Sequence, residues 1–157
     1  SLKSAIEASK KGITNTLWLD ANQHKYIEEL SGMNFMCIIN GVLNTPPLHD
    51  TILAGITRDS LLAIAKDLGI SINVAPIAID ILIEQLKNGN CSEAFSCGTA
   101  AVITPIDSFF EENGEQYKLP EGVGKITELL RSSLLAVQEG RKEDKWNWVQ
   151  QVPMIDV

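Results

Sequence analysis

The spacing of apolar residues changes at Thr57, and this change limits the folds that are open to the chain. Before it, short runs rich in β-branched and aromatic residues predict strands. After it, four apolar residues recur at helical spacing, namely Leu61, Ile64, Ala65 and Leu68. Gly69 follows them as a residue that ends helices. A chain that passes from strands to an amphipathic helix in this way has to pack helices against a sheet.

Further elements are predicted on both sides of this helix. The spacing at the start of the chain predicts a helix over 1–12. The other predicted elements are strands at 15–20, 25–30, 34–41 and 71–77, a helix at 78–87, two strands flanking Gly98 and Thr99, a hairpin that turns at Asn113 and Gly114, and a last helix over 126–137. Because no internal repeat or linker interrupts them, we predict one domain, 1–157, of mixed α and β structure (α+β).

Composition and charge exclude several classes of function. The chain has 157 residues, of which 45% are hydrophobic and 21% charged, as in an ordinary folded domain. The net charge is −7, and Lys and Arg form no cluster that lacks compensating acids, so we expect no nucleic-acid partner. The longest apolar region is interrupted by Pro76 and Asp80, so we expect no membrane span.

The cysteines and histidines indicate neither a disulfide framework nor a metal site. Cys37, Cys91 and Cys97 are odd in number and irregularly spaced. We therefore predict that they are small buried side chains in a protein of the reducing cytoplasm. His24 and His49 have no partner at metal-ligand spacing and are predicted to lie on the surface.

The segment LAGITRDS, residues 53–60, lies at the predicted helix start and can be interpreted in two ways. The first N–H groups of a helix have no intrahelical partner, and the helix dipole favours a negative charge beside them. Gly55 would let an anion approach the backbone, so the N–H groups near Gly55, Ile56 and Thr57 could bind a phosphate. In the alternative interpretation, Thr57 simply caps the helix.

A second segment, SCGTAA at residues 96–101, places a glycine and a threonine at the end of a predicted strand. Small side chains leave room beside the backbone, so the Thr99 hydroxyl and nearby N–H groups could contact an anion. The same composition is also typical of a tight bend inside a core. This segment by itself does not decide between the two interpretations.

Two neighbouring glutamates, Glu28 and Glu29, lie in the predicted strand at 25–30. Neighbouring side chains of a strand point to opposite faces of the sheet, so one carboxylate is predicted to face inward and the other outward. A buried carboxylate requires a cation or a strong donor, and a protonated heterocycle would provide one. The alternative is that both carboxylates lie on a solvated edge.

Four segments, in this order, resemble the C-terminal half of the branched-chain amino-acid aminotransferases: YIEELSGMNF, LNTPPLHDTILAGITRDSLL, EAFSCGTAAVITPI and EDKWNWV. That family consists of fold type IV enzymes that use pyridoxal 5′-phosphate (PLP), and the resemblance implies their large domain, a mostly β core flanked by helices. D-amino-acid aminotransferases and aminodeoxychorismate lyases share weaker forms of these elements. The TPPL segment, the GTAAVITP run and the tryptophan-containing tail favour the branched-chain family.

The resemblance implies cofactor contacts at these positions: Glu29, Leu53, Gly55, Ile56, Thr57 and Thr99. Glu29 would pair with the pyridine nitrogen and keep it protonated, and the other glutamate would be its outward neighbour. Ile56 and Thr57 would bind the phosphate through N–H groups and a hydroxyl, with a further contact from Thr99. Leu53 would pack on the ring.

The same resemblance implies substrate contacts at Gly32, Thr99 and Ala100, where N–H groups would bind the α-carboxylate of an amino acid. Ala54 stands where the family usually has proline, and this difference takes no hydrogen-bond donor away from the phosphate. The implied reaction is amino transfer from leucine, isoleucine or valine to 2-oxoglutarate in a cytoplasmic homodimer.

No catalytic residue is expected within the chain, because the Schiff-base lysine of this family would lie upstream of residue 1. Lys3, Lys10 and Lys11 do not match its motif and are interpreted as solvated surface charges. We therefore expect no transaminase activity and at most weak cofactor binding from this chain alone. The alternative function is a non-catalytic α/β module that binds a phosphorylated ligand or a protein partner through residues 55–57.

Overall fold

The computed structural model describes residues 12–150 and 152–153. In this part of the chain the strands are β1 (Leu17–Leu19), β2 (Ile27–Leu30), β3 (Met33–Ile39), β4 (Val42–Thr45), β5 (Ile72–Val74), β6 (Cys91–Gly98), β7 (Val102–Ile106), β8 (Ser108–Phe110) and β9 (Gln116–Lys118). The helices are α1 (Ile56–Asp67), α2 (Ile79–Lys87) and α3 (Lys125–Gln138). None of these described helices is long and apolar enough to cross a membrane. The helix predicted over 1–12 lies outside the described residues apart from Gly12.

The mixed architecture predicted from the change of period is confirmed. α1 buries Leu61, Ile64 and Ala65 on one side. The chain leaves this helix through Gly69, whose φ of +73° is a left-handed conformation that glycine adopts without a steric penalty. The other strands and helices predicted within the described residues are present, with bounds that differ by a few residues.

Strand β4 was not predicted from the sequence. Its four residues, Val42–Thr45, are too few to show a period, and they run directly into a proline-containing loop. They form a strand because β4 lies between two neighbours, pairing antiparallel with β3 and parallel with β5. Backbone hydrogen bonds on both sides therefore provide the stabilisation that the local sequence does not indicate.

Seven strands, β1–β7, form one sheet with β3 at its centre. β6 pairs with β3 along nearly its whole length and carries β7 on its other side. The opposite edge of β3 is shared, since β2 pairs with its first residues and β4 with its last. Between these two partners, the Thr45 hydroxyl donates to the Phe35 carbonyl oxygen at 2.8 Å.

Apolar side chains cover both faces of this sheet, because β3 is buried on both sides. Phe35 and Cys37 belong to one core, with residues of α2 and of the β8–β9 hairpin. The alternate residues Met36 and Ile38 belong to another core, with residues of α1 and α3. This alternation is the period of two that a strand imposes. The result is the predicted β core flanked by helices.

Strand direction brings three connections to one end of the sheet. β2, β4 and β6 all run antiparallel to β3, so each of them ends toward the first residues of β3. The connections that leave them are the β2–β3 turn at 31–32, the β4–α1 loop at 46–55 and the β6–β7 turn at 99–101. The fold therefore gathers at one end the three segments that the sequence analysis singled out.

Candidate functional site

The β2–β3 turn and the β6–β7 turn lie side by side, because the start of β3 is next to the end of β6. A Cβ placed on Gly98 would lie 3.9 Å from the carbonyl oxygen of Gly32. Thr99 and Ala100 follow Gly98 directly and are exposed. The residues predicted to contact the substrate are therefore neighbours in space, in two adjacent turns.

The β6–β7 turn is followed by a strained residue, the first of β7. Val102 has a φ of +61°, which lies in the left-handed region. A β-branched residue adopts this conformation at a cost of about 1–3 kcal/mol, and strain of this size is concentrated at functional sites. The turn that carries Thr99 and Ala100 is therefore kept in its shape by the surrounding sheet.

Glu28 and Glu29 do not point to opposite faces, as the strand period predicts. Leu17 on β1 pairs with Leu30 on β2, and Leu19 pairs with Ile27, so β2 has one more residue than β1 between the two pairs. This extra residue forms a β-bulge. As a result Ile27 and Leu30 are buried in the same core. Both glutamates are half-buried and contact the β4–α1 loop. The prediction of one inward and one outward carboxylate is therefore wrong.

The two carboxylates differ in the strength of the hydrogen bonds that they accept from the β4–α1 loop. Oε1 of Glu28 accepts a hydrogen bond from Thr51 Oγ1 at 2.6 Å. Oε2 of Glu29 lies 3.4 Å from the backbone nitrogen of Leu53, a long contact that leaves Glu29 able to accept a stronger bond. The side chain of Leu53 is 71% exposed, so an apolar surface adjoins this carboxylate.

The start of α1 has N–H groups without side-chain partners. The N-cap is Gly55, which has no side chain to cap the helix, and Thr57 is a half-buried residue inside its first turn. No side chain of the described residues accepts a hydrogen bond from the N–H groups of Ile56, Thr57 or Arg58. The capping interpretation of Thr57 is therefore wrong. Free N–H groups and the helix dipole together form an arrangement that binds anions.

Asn34 connects these segments, and it was not predicted as a site residue. It lies opposite Glu29 on β2 and opposite Cys97 on β6, and it is 5% exposed. Its Nδ2 donates to the Leu53 carbonyl oxygen at 2.8 Å. Its Oδ1 lies where a Cβ of Gly55 would be, so the glycine makes room for Asn34. The sequence had suggested that this glycine makes room for an anion. A polar residue within the apolar run of β3 was the available signal, since a buried amide needs partners.

Arg58 is a second residue that the sequence analysis missed. It lies on the buried side of α1, three residues before Leu61, and its Nη2 donates to the Pro46 carbonyl oxygen at 2.8 Å. Burial lowers the pKa of Arg58, because desolvation disfavours the charged guanidinium. Neither ion pair found among the described residues includes it. Arg58 is therefore a buried cation whose backbone belongs to the first turn of α1, and its place on an apolar helix face was the signal.

A groove of about 750 Å³ lies elsewhere on the molecule. It is lined by side chains of β1, α2 and the β8–β9 hairpin, among them Leu17, Ile83, Phe109 and Tyr117. None of the predicted cofactor or substrate contacts lines it. This groove is therefore separate from the candidate site.

The predicted positions of the cysteines and histidines are confirmed. Cys37, Cys91 and Cys97 are buried and form no disulfide. Burial raises the pKa of Cys97 to about 12, which makes this thiol unreactive. His24 and His49 are exposed.

The sequence of residues 1–109 matches the family model Amino-transferase class IV. Because this match covers more than half of the chain, the protein belongs to the class IV aminotransferases. The mixed fold agrees with this family, and the resemblance found in the sequence analysis is confirmed.

Individual proteins similar to this chain are named branched-chain amino-acid aminotransferases. The chain is 38% identical over 153 residues to a probable branched-chain-amino-acid aminotransferase of Staphylococcus epidermidis, covering 98% of this chain and 43% of that protein. Its fold matches the branched-chain amino acid aminotransferase from Escherichia coli with a TM-score of 0.78 and 34% identity, over 96% of this chain and 47% of that one. A T.th. branched-chain amino acid aminotransferase with pyridoxamine 5′-phosphate matches with a TM-score of 0.72 and 32% identity, over 90% of this chain and 42% of that one. The chain thus spans less than half the length of these relatives.

Proposed function

We propose that residues 1–157 form one domain, the C-terminal cofactor-binding part of a PLP-dependent branched-chain amino-acid aminotransferase. The observation that carries the proposal is the meeting of the β2–β3 turn, the β4–α1 loop and the β6–β7 turn at one end of the sheet. A carboxylate, free helix N–H groups and a glycine-threonine turn are what a phosphorylated, protonated pyridine requires. The names of the relatives support the branched-chain class over the other fold type IV enzymes.

The described residues fit this cofactor at both of its ends. At one end, the N–H groups of Ile56 and Thr57 are available to a phosphate dianion. At the other end, the half-buried carboxylate of Glu29 has, among the described residues, only the long contact with Leu53, so it can accept a strong bond from a protonated ring nitrogen. Arg58, a buried cation of the same helix turn, would add positive charge to this part of the site.

The chain's own residues would orient and tune the cofactor. When bound, PLP supplies the electron sink for moving an amino group between an amino acid and a 2-oxo acid. Glu29 would keep a proton on the ring nitrogen, which strengthens that sink. Ile56 and Thr57 would fix the phosphate, and Leu53 would cover the ring and exclude water from it.

The two adjacent turns would bind the substrate. N–H groups of Thr99 and Ala100 would bind the α-carboxylate beside Gly32, and Thr99 would also contact the cofactor phosphate. The substrates would be leucine, isoleucine or valine with 2-oxoglutarate, and the whole enzyme would be a homodimer. The buried, unpaired cysteines support a reducing cytoplasm as its location.

The 157-residue chain alone is expected to bind the cofactor weakly and to transfer no amino group, because the resemblance places the Schiff-base lysine outside it. Absorbance after incubation with PLP, followed by borohydride reduction and peptide mapping, measures this. Fixation of the cofactor to one specific lysine would contradict the expectation.

The site itself is tested with 4-deoxypyridoxine 5′-phosphate, a PLP analogue that cannot react with lysine. We expect Glu29→Gln to weaken binding of the analogue about tenfold and to lower the pKa of its ring nitrogen, because a neutral amide does not stabilise a pyridinium. Glu28→Gln is the matched control and should change neither quantity by more than about twofold, because Glu28 is occupied by Thr51. Fluorescence titration gives the affinity, and absorbance against pH gives the ring pKa.

A phosphate-binding module without catalysis is the second candidate, and the free N–H groups of α1 favour it. It predicts that inorganic phosphate binds as tightly as the analogue and that Glu29→Gln has no effect. Equal effects of the Glu28 and Glu29 variants, or a bound analogue that leaves the amide signals of Ile56 and Thr57 unchanged, would overturn the PLP proposal.

A further inference from the structure

We propose that Asn34 is a positioning residue that sets the distance between the two ends of the cofactor site, the Glu29 carboxylate and the free N–H groups of α1. This proposal rests on the proposed function and deepens it. In this proposal Asn34 contacts neither the phosphate nor the ring of the cofactor. It acts through Leu53 and Gly55.

The backbone of Asn34 fixes it relative to the carboxylate. β3 is the central strand, and Asn34 lies directly opposite Glu29 on β2. On its other side it lies opposite Cys97, which is followed by Gly98 and the β6–β7 turn. Asn34 thus occupies the row of the sheet that joins the carboxylate to the predicted substrate turn.

The side chain of Asn34 fixes it relative to the helix start. The Leu53 carbonyl oxygen accepts two hydrogen bonds at 2.8 Å, one from Asn34 Nδ2 and one from the Gly55 N–H. The Leu53 N–H points to Glu29 Oε2. The carbonyl oxygen of Leu53 is therefore held by Asn34, the neighbour of Glu29 in the sheet, and the N–H group of Leu53 is held by Glu29 itself.

Asn34 and Gly55 are complementary in shape. Oδ1 of Asn34 occupies the position where Gly55 would carry a Cβ, and the next residue, Ile56, begins α1. Because Asn34 is 5% exposed, water cannot replace its hydrogen bond without opening this contact. The first N–H groups of the helix are consequently fixed with respect to β3.

A ligand with two ends benefits from such fixation in a way that a ligand with one end does not. Once its phosphate is bound, the ring of a pyridoxal derivative meets Glu29 at a high effective concentration only if the spacing of the two anchors is correct. Loss of the Asn34 contact should therefore weaken the two-ended ligand selectively. A residue that only stabilises the fold should weaken all ligands together.

The test compares Asn34→Ala with the wild-type chain, using 4-deoxypyridoxine 5′-phosphate, inorganic phosphate and 4-deoxypyridoxine as probes. Alanine removes the N–H donor to Leu53 and adds no charge beside Glu29 or the helix start. We expect affinity for the two-ended probe to fall about tenfold, while the affinities for the two one-ended probes change by less than about twofold. Amide shifts of Ile56 and Thr57 during the titrations, measured by NMR, show that binding is at the site.

Asn44→Ala is the matched control. Asn44 is also a buried asparagine of the same sheet, 8% exposed, and its Nδ2 donates to the Val42 carbonyl oxygen at 2.8 Å. It lies on β4 away from Glu29, opposite Cys37. This variant should lose a comparable amount of stability and bind all three probes as the wild type does.

Gly55→Ala is a second variant that displaces Asn34 from the opposite side, and it should give the same selective loss. Equal weakening of all probes, or the same result from Asn34→Ala and Asn44→Ala, would assign Asn34 a purely structural role and overturn the inference alone. If the wild-type chain binds none of the phosphorylated probes at Ile56 and Thr57, the proposed function fails first, and the inference fails with it.

Discussion

Helices α1 and α3 begin in the same way but differ in what binds their first N–H groups. Each has an N-cap glycine with extended backbone, Gly55 in α1 and Gly124 in α3. Against each glycine lies a polar side chain from the centre of the sheet, Asn34 from β3 and Glu93 from β6, in the space that a Cβ would fill. The two helix starts are therefore built on one plan with an amide in one and a carboxylate in the other.

The carboxylate completes the start of α3. Glu93 Oε1 accepts from the Ile126 N–H at 3.1 Å, and Oε2 accepts from the Thr127 N–H and hydroxyl, both at 2.7 Å. The negative charge also complements the helix dipole. At α1 the amide of Asn34 turns its NH₂ group to Leu53 instead. One helix start is thus closed within the chain, whereas the other leaves its donors to an anion from outside.

The largest effect should come from removing the carboxylate that closes α3. Glu93→Ala is expected to lower the free energy of unfolding by about 3 kcal/mol, because it leaves two backbone N–H groups and the buried Thr127 hydroxyl without their charged acceptor. Urea unfolding followed by circular dichroism measures it.

Glu128→Ala is the control for this prediction, because Glu128 is an exposed acid in the same first turn. It should cost no more than about 0.5 kcal/mol. A loss as large as that of Glu93→Ala would show that the dipole, and not the hydrogen bonds of Glu93, closes the helix.

A smaller effect is expected from alanine at the two glycines, which tests whether both really accommodate a neighbouring side chain. Gly124→Ala should destabilise by about 2 kcal/mol because it displaces Glu93, and Gly55→Ala by about 1 kcal/mol because it displaces the neutral Asn34. In an Asn34→Ala background the cost of Gly55→Ala should fall to nearly zero, which a double-mutant cycle measures. Additive costs would mean that the two residues do not contact each other.

The elements that sequence analysis predicted are those whose signals are local. α1 is specified by its own period and by Gly69, and the β8–β9 hairpin by a turn at Asn113 and Gly114. The segments of the site were also visible, since LAGITRDS and SCGTAA combine small residues with threonine at the ends of elements. Their meeting at one end of the sheet follows from strand direction, which no single segment contains.

The features that were missed depend on pairing between distant segments. The bulge that turns Glu28 and Glu29 to the same loop arises from the register of β2 against β1, and a strand period cannot show it. Asn34 lies 19 residues before Leu53, its hydrogen-bond partner. The polar character of Asn34 in an apolar strand was visible, but its partner was not.

The smallest effect, and the most direct test of the open start of α1, is the response to inorganic phosphate at constant ionic strength. The amide signals of Ile56 and Thr57 should shift on titration into the millimolar range, and the stability gained should stay below about 1 kcal/mol. Ile126 and Thr127 are the internal controls and should not shift, because Glu93 occupies their N–H groups and repels an anion. Shifts of equal size at both helices would show that phosphate interacts with the helix dipoles alone. The difference between the Asn34 amide and the Glu93 carboxylate would then not explain phosphate binding.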